Sequence, residues 1–473
     1  MSEERDLTRR DVVQMAGAVT AAAAVNKLQG APAIRTVKAA GQQVQFGMIG
    51  TGSRGTYLLR HLKGIDAGHC VALCDLWEPS LKEAAQTIGT NPKTYKDYRE
   101  LLADKNVEAV MIATPLYMHF PCTKDALLAG KHVFCEKSLV FRPEEVHQLR
   151  ALYAQYPKQI LQVGLQRRYS EFYQAVKQMI DQGQLGQVSH IRGQWHRNTF
   201  ARDPWNKPVP KGRTDKEQNW RKYREFSGGL TAELGSHQMD VADWFFGSGF
   251  EYVLGVGGRD FINDGRDIFD NIQLIFKYPK GQKFLYSSIT TNGSLDLLRS
   301  ERREFGEVIM GTDGTVHITL GGDDFPATAM WFPEPPKPQV GGAKKEAVKA
   351  GATIATGAAQ KGIPLFLAKD QITGNESFWE KEAKFARRWL ASKGIMMPEE
   401  PRNPVDTQLD SFFDACRTGK RPKADIEVGL TDSTGVMLAN TAMYEERRVY
   451  FNEIEKMGKP EAAKPAAAGA KRS

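Results

Sequence analysis

The stretch VQFGMIGTGSRGTYLLRHL, residues 44–62, constrains this chain more than any other. Gly50, Gly52 and Gly55 stand at G-x-G-x-x-G spacing, with an apolar run before them and a helix-like run after. Alone, such a triplet is a weak signal. Here an acidic residue, Asp75, also ends the next apolar run, about 20 residues beyond the last glycine, the separation that a dinucleotide fold requires. Gly50 then permits the tight turn, Gly52 lets the backbone approach a pyrophosphate, and Gly55 lets the helix pack close to the strand. The helix N-terminus faces the phosphates. Asp75 is placed to accept hydrogen bonds from ribose hydroxyls and to repel a 2′-phosphate, so NAD is favoured over NADP. Arg54, near the turn, keeps NADP open by offsetting that repulsion.

The pattern after the turn supports the same fold. CVALCDL (70–76), VEAVMIATP (107–115), HVFCEK (132–137) and QILQVGLQ (159–166) read as buried strands. LKEAAQTI, YKDYRELLAD, the segment ending at Gly130 and the run opened by Pro143 read as helices. Strand and helix in alternation predict a parallel, doubly wound α/β sheet over 44–165. From about residue 186 the runs VSHIRGQWHR, VLGVGGRDF, DNIQLIFKYP, KFLYSSITT and EVIMGTDGTVHITL follow one another with turn residues between them. They predict a second, α+β domain over 166–456, built on a large, open, mostly antiparallel sheet. One helix, LTAELGSHQMDVADWFFG, interrupts that run before VLGVGGRDF, and helical pattern returns over 404–450. Residues 335–380, rich in Pro, Gly, Ala and Lys where they begin, read as a flexible insertion, and 457–473 as a disordered tail.

Composition narrows the function classes. Of 473 residues, 41% are hydrophobic and 25% charged, ordinary for a globular protein. The formal net charge is +8, part of it in the two ends. No basic stripe is interleaved with aromatics, which argues against nucleic-acid binding. The five cysteines form no C-x-x-C pair and lie mostly in apolar stretches; they read as buried thiols, with neither a disulfide framework nor a metal site. At the N-terminus, Arg9-Arg10 precede a short alanine-rich run and the small-residue site Ala31-Pro32-Ala33. Residues 1–43 therefore resemble a twin-arginine export signal and linker, with Val12-Val13 in place of the preferred Phe-Leu. The expectation is a folded, exported, periplasmic protein without a stable membrane anchor; without a working signal it would be cytoplasmic.

Two further stretches carry a family resemblance: AGKHVFCEKSLV (129–140) and GGLTAELGSHQMDVADWFFG (228–247). With the glycine turn, IATPLYMH (112–119) and PVDTQLDSFFDACRTGKRPKADIEVG near the C-terminus, they resemble the Gfo/Idh/MocA family of NAD(P)-dependent sugar and cyclitol oxidoreductases. The resemblance implies cofactor contacts from Gly50, Thr51, Gly52, Ser53, Arg54, Gly55, Asp75, Thr114, Pro115, His119, Glu136 and Lys137. Lys137 matches the family lysine that approaches the reacting hydroxyl and the nicotinamide. Ser138 stands where the family has proline. His237 matches the family's general acid/base, a role that suits an imidazole titrating near neutral pH. Glu233 stands where the family has aspartate, four residues before His237 on one helix face, as a residue that orients His237 or binds a sugar hydroxyl. Asp240 reads as structural. Gln166, Arg167, Arg168 and Tyr169 match a substrate-side segment, of which Gln166 and Arg168 are the chosen contacts. Trp195, Trp205, Trp220 and Tyr223 are candidates to stack on a sugar, Trp195 and Tyr223 foremost.

Two activities fit these residues. One is hydride transfer between a ring hydroxyl or ketone of a sugar, glycoside or cyclitol and a tightly bound cofactor. The other is a redox-neutral glycoside hydrolysis on the same fold, in which NAD oxidises the ring transiently and the hydride returns. A noncatalytic sugar-binding role fits less well with Lys137 and His237 both present. A homo-oligomer, dimer or tetramer, is expected from the resemblance.

Overall fold

Six parallel strands make the first sheet of the computed structural model: β1 (Val44–Ile49), β2 (Gly68–Cys74), β3 (Lys93–Tyr95), β4 (Ala109–Ile112), β5 (His132–Cys135) and β6 (Leu161–Val163). Their order is β3-β2-β1-β4-β5-β6. Residues 42–199, 203–293, 305–319, 328–334, 362–366, 378–397 and 402–457 are described. The arginine-pair leader, most of the insertion and nearly all of the tail lie outside them. In β1 and β4 almost every residue is buried, because helices cover both faces of a parallel sheet. The chain winds one way from β1 to β3 and the other way from β4 to β6. That reversal opens a crevice at the strand ends between β1 and β4, where ligands bind in such sheets. Helix α1 (Ser53–Leu62) follows β1, and α2 (His119–Leu128) follows β4.

The second sheet has nine strands: β7 (Val188–His196), β8 (Tyr252–Gly258), β9 (Asn271–Lys277), β10 (Lys283–Ile289), β11 (Phe305–Gly311), β12 (Gly314–Thr319), β13 (Thr328–Pro333), β14 (Ile363–Phe366) and β15 (Val449–Tyr450). Their order is β14-β13-β12-β11-β7-β10-β9-β8-β15, and only the β7–β10 pairing is parallel. Buried and more exposed residues alternate along β9 and β10, so one face packs and the other stays open. Helices α3 (Ser236–Phe246) and α5 (Ile426–Tyr444) lie on the packed face. The fold is thus a Rossmann sheet joined to a mostly antiparallel second sheet.

Three details depart from expectation. The sequence reads the span 335–380 as a flexible insertion, yet β14 adds to β13 within it and a helix begins at Phe378. Leu365 is fully buried there, and Pro364 costs nothing at a sheet edge, where its missing N–H has no ladder to join. The helix Glu171–Asp181 also went unread. Finally, α4 (Pro404–Thr418) does not pack with the second sheet's strands. It returns to the first sheet, where Phe413 and Phe412 meet Phe46 and Phe134 at ring distances of 5.4 and 5.8 Å. The dinucleotide fold is therefore completed by sequence far outside 44–165. All five cysteines are buried and none is in a disulfide, and among the described residues no helix is long and apolar enough to cross a membrane.

Candidate active site

The glycine turn sits at the crevice, and each glycine there has its own steric reason. Gly50 has φ +88°, and a Cβ on it would lie 2.7–2.8 Å from the backbone of Ala113 and Thr114, the turn after β4. A Cβ on Gly55 would stand 2.1 Å from the Gly50 carbonyl oxygen. Around Gly52 there is nothing within 4 Å. Gly52 is also the N-cap of α1 and supplies no side-chain cap, so the first amides of the helix are left for a ligand. Open space and uncapped donors fit a dinucleotide's pyrophosphate. Asp75 faces this turn: its Oδ2 accepts from the Thr51 amide (2.8 Å) and hydroxyl (3.2 Å), and its Oδ1 from the Trp77 amide (2.8 Å). Ser53 is exposed beside the turn.

Arg54 does not serve the Asp75 end. Its Nε donates to Glu136 Oε1 at 2.7 Å and its guanidinium to Gln166 Oε1 at 3.1 Å. Salt-bridge geometry with a buried carboxylate holds it at the end of β5. Gln166 is thereby part of the same ion-pair network. His119 is also turned inward. Its ring nitrogens lie 2.7 Å from the Ser138 carbonyl oxygen and 3.0 Å from that of Thr114, and burial lowers its pKa. A neutral imidazole carries one N–H, which one of these two carbonyls accepts, so His119 ties the β4 turn to the Lys137 segment. Thr114 Oγ1, by contrast, is buried without a partner, and Pro115 follows it at the head of a single 3₁₀ turn.

Lys137 links the two domains. Its Nζ donates to the carbonyls of Ala232 (2.9 Å) and Glu233 (2.6 Å). Burial lowers its pKa, assisted by Arg54 and opposed by Glu233, Glu136 and Asp432. The Lys137–Ser138 peptide is cis, with serine in the position of the expected proline.

The two acceptor carbonyls belong to a π turn, Thr231–Gly235, that runs directly into α3. The sequence predicts one regular helix here, with Glu233 and His237 stacked on a face. The π turn changes that phase, and Glu233 pairs instead with Arg221, whose Nε donates to Oε2 at 2.7 Å. Burial alone would raise the Glu233 carboxyl, but Arg221 and Lys137 outweigh it and hold the group below its ordinary value. π turns of this kind gather at functional sites.

His237 is buried, and its Nδ1 has no hydrogen-bond partner. Its ring stacks on Trp195, 6.1 Å between centroids and 24° between planes. Burial drives its pKa well below the ordinary histidine value, with Lys137, Arg167 and Arg54 adding to the shift. The ring is therefore neutral at neutral pH and holds an orphaned polar atom, a state that a buried group tolerates when a ligand completes it.

The remaining candidates divide. Arg168 is spent on Asp240, Nε to Oδ1 at 2.7 Å, so Asp240 orients Arg168 and not His237. The Tyr223 hydroxyl donates to Asp215, and Arg167 is bound within the core to Glu307, which also accepts from Tyr173 at 2.6 Å. The sequence missed Arg221 and Asp432. Asp432 lies in α5, 2% exposed, with both oxygens lacking a partner, and burial pushes its carboxyl well above the ordinary range. An acid in the middle of a largely apolar helix was the available signal.

Comparison with known proteins bears on this geometry. Residues 44–165 match a family described as oxidoreductase family, NAD-binding Rossmann fold, and residues 173–317 match the GFO/IDH/MocA C-terminal domain. Together these cover more than half of the chain. The chain belongs to the Gfo/Idh/MocA family. Within this family it is 29% identical over 214 residues to myo-inositol 2-dehydrogenase of Thermotoga maritima, covering 45% of this chain and 58% of that one. It is 34% identical over 154 residues to an uncharacterised oxidoreductase of Synechocystis sp., covering 33% and 38%. The chain thus matches under two thirds of the length of these relatives. Its fold is similar to levoglucosan dehydrogenase in complex with NADH (TM-score 0.64, 18% identity, 87% of this chain and 99% of that one). It is also similar to myo-inositol 2-dehydrogenase from Lactobacillus plantarum (TM-score 0.61, 19% identity, 86% and 99%).

Proposed function

We propose that this Gfo/Idh/MocA protein is a nicotinamide-dependent oxidoreductase that acts on a ring hydroxyl or ketone of a sugar, glycoside or cyclitol. The observation that carries this reading is the approach of Lys137, from the first domain, to the π turn that leads into His237 of the second. A dinucleotide held by the glycine turn supplies a hydride acceptor at this junction. In the oxidation direction, His237 is already unprotonated and takes the hydroxyl proton as the carbon–hydrogen bond breaks and the carbonyl forms. Lys137 spends two of its three N–H donors on carbonyls and keeps one for the substrate oxygen. Arg221 holds Glu233 so that this carboxylate does not capture the lysine outright. The half-buried Trp195, stacked on His237, offers a flat wall for a sugar's apolar face.

NAD is the favoured cofactor, because Asp75 repels a 2′-phosphate and Arg54 is held elsewhere. The leader suggests twin-arginine export of the folded enzyme with its cofactor bound, and the open face of the second sheet suits assembly with further copies. The test is nicotinamide absorbance with NAD and NADP in parallel, across a panel of sugars, glycosides and cyclitols. Released aglycone is assayed in the same mixtures. A lasting rise that disappears in Lys137→Ala and His237→Ala supports the reading. Aglycone release with no lasting rise overturns it in favour of a redox-neutral glycoside hydrolase.

A further inference from the structure

Residues 203–227 form a strap that is rooted in the second domain and touches the first at two separated places. The roots are ionic and buried. Arg266, 4% exposed, pairs with Asp203 and Asp264. Lys222, also 4% exposed, donates to Asn206 Oδ1 (3.2 Å) and to the Asp264 carbonyl (3.3 Å). The Arg224 amide donates to Asp267 (2.6 Å). The strap is also stapled to itself: the Asn219 side chain accepts from the Lys207 amide (2.8 Å) and donates to the Lys207 carbonyl (2.9 Å) and Asp215 (2.7 Å). It is a preformed element with its own internal bonds.

Its reach is what matters. The Arg213 guanidinium lies over the Trp77 ring, 5.3 Å from the centroid. Trp77 is two residues beyond Asp75 and donates its amide to that carboxylate. The Phe226 ring lies 5.0 Å from the Tyr117 ring, three residues beyond Thr114. Between these points Arg221 reaches Glu233, whose carbonyl holds Lys137. The strap therefore spans from the ribose-reading end of the crevice to the lysine end.

We propose that the strap retains the dinucleotide: Arg213–Trp77 and Phe226–Tyr117 are two latches across the crevice that must open before the cofactor leaves. This rests on the cofactor reading above. Neither latch touches the reacting atoms, so the residues act on release and not on chemistry.

The experiment measures release. The full chain is loaded with NADH and mixed with excess NAD, and the loss of bound nicotinamide fluorescence gives the rate constant. Arg213→Ala and Trp77→Ala are each expected to speed release about tenfold, the size of a partly desolvated cation–π contact. Arg213 also bonds Gln218 and Glu217 within the strap, and Trp77 is free to touch the dinucleotide itself. The double variant separates these effects: a shared latch makes it no faster than either single variant. Arg213→Lys, which keeps the cation, restores most of the retention, and Phe226→Ala speeds release independently. Additive effects in the Arg213/Trp77 pair, or unchanged release in Arg213→Ala, overturn the proposal while leaving the cofactor reading intact. A wild-type chain that binds neither NADH nor NADPH overturns both.

Discussion

Burial lowers the pKa of both Lys137 and His237, and for the histidine that makes a sharp prediction. A base acts only when unprotonated. His237 has its pKa driven well below the ordinary histidine value by burial and three neighbouring cations, so it stays competent as pH falls through about 6.5. The acid limb of kcat/KM for alcohol oxidation should therefore lie well below that value. A limb at or above it would remove His237 from the role of base. A second residue tests the electrostatics of the same helix through stability. Asp243 accepts from the Tyr278 hydroxyl at 2.5 Å, and burial pushes its pKa up to about 7. A raised folded pKa means stability that is full below about pH 4 and is lost as pH rises to about 7, with a slope of up to about 1.4 kcal/mol per pH unit. Asp243→Asn should flatten that part of a urea-midpoint profile against pH. At this scale the sequence revealed Lys137 and His237 because motif spacing marks them. It did not reveal Arg221, whose partner lies 12 residues away across a turn, or Asp432, whose charged neighbours lie on other elements, and no local pattern encodes such a meeting.

The glycine turn is an element two of whose members, Gly55 and Gly52, are predicted to fail differently. A methyl on Gly55 meets the Gly50 carbonyl, and both are backbone, which cannot yield. Gly55→Ala should lower the melting temperature together with cofactor affinity. A methyl on Gly52 meets nothing in the protein. Gly52→Ala should leave the melting temperature of the cofactor-free protein within a degree or so while raising the Kd for NADH, as calorimetry and fluorescence titration would separate. Equal losses of stability in both variants would count against the pyrophosphate lying over Gly52. The turn was legible because strand, glycines, helix and Asp75 form one short pattern. The π turn before α3 was not: LTAELGSHQMD has ordinary helical residues, and the extra residue per turn is fixed by Lys137 drawing on the Ala232 and Glu233 carbonyls from another domain.

At the scale of the whole molecule, the two-sheet architecture was readable from the change in hydrophobic period near residue 186, but the route of the chain between the sheets was not. α4 reads as any amphipathic helix, and only the matching cavity beside Phe46, Gly68 and Phe134 decides where it docks. Phe412 and Phe413 are fully buried there. Phe413→Ala should cost about 3–5 kcal/mol of stability by urea unfolding, and the loss should appear in the dinucleotide domain, with Kd for NADH rising as that domain loosens.

This docking also orders events in time. Gln162 at the edge of the first sheet bonds Gln408 of α4 across a separation of 246 residues. A ribosome adding roughly 5–20 residues per second takes on the order of ten to fifty seconds to cover that distance. The first sheet is made first and finished last. Through that interval part of its apolar face, Phe46 and Phe134 included, is bare on the nascent chain. The second sheet must be synthesised while the first is still waiting for its cover.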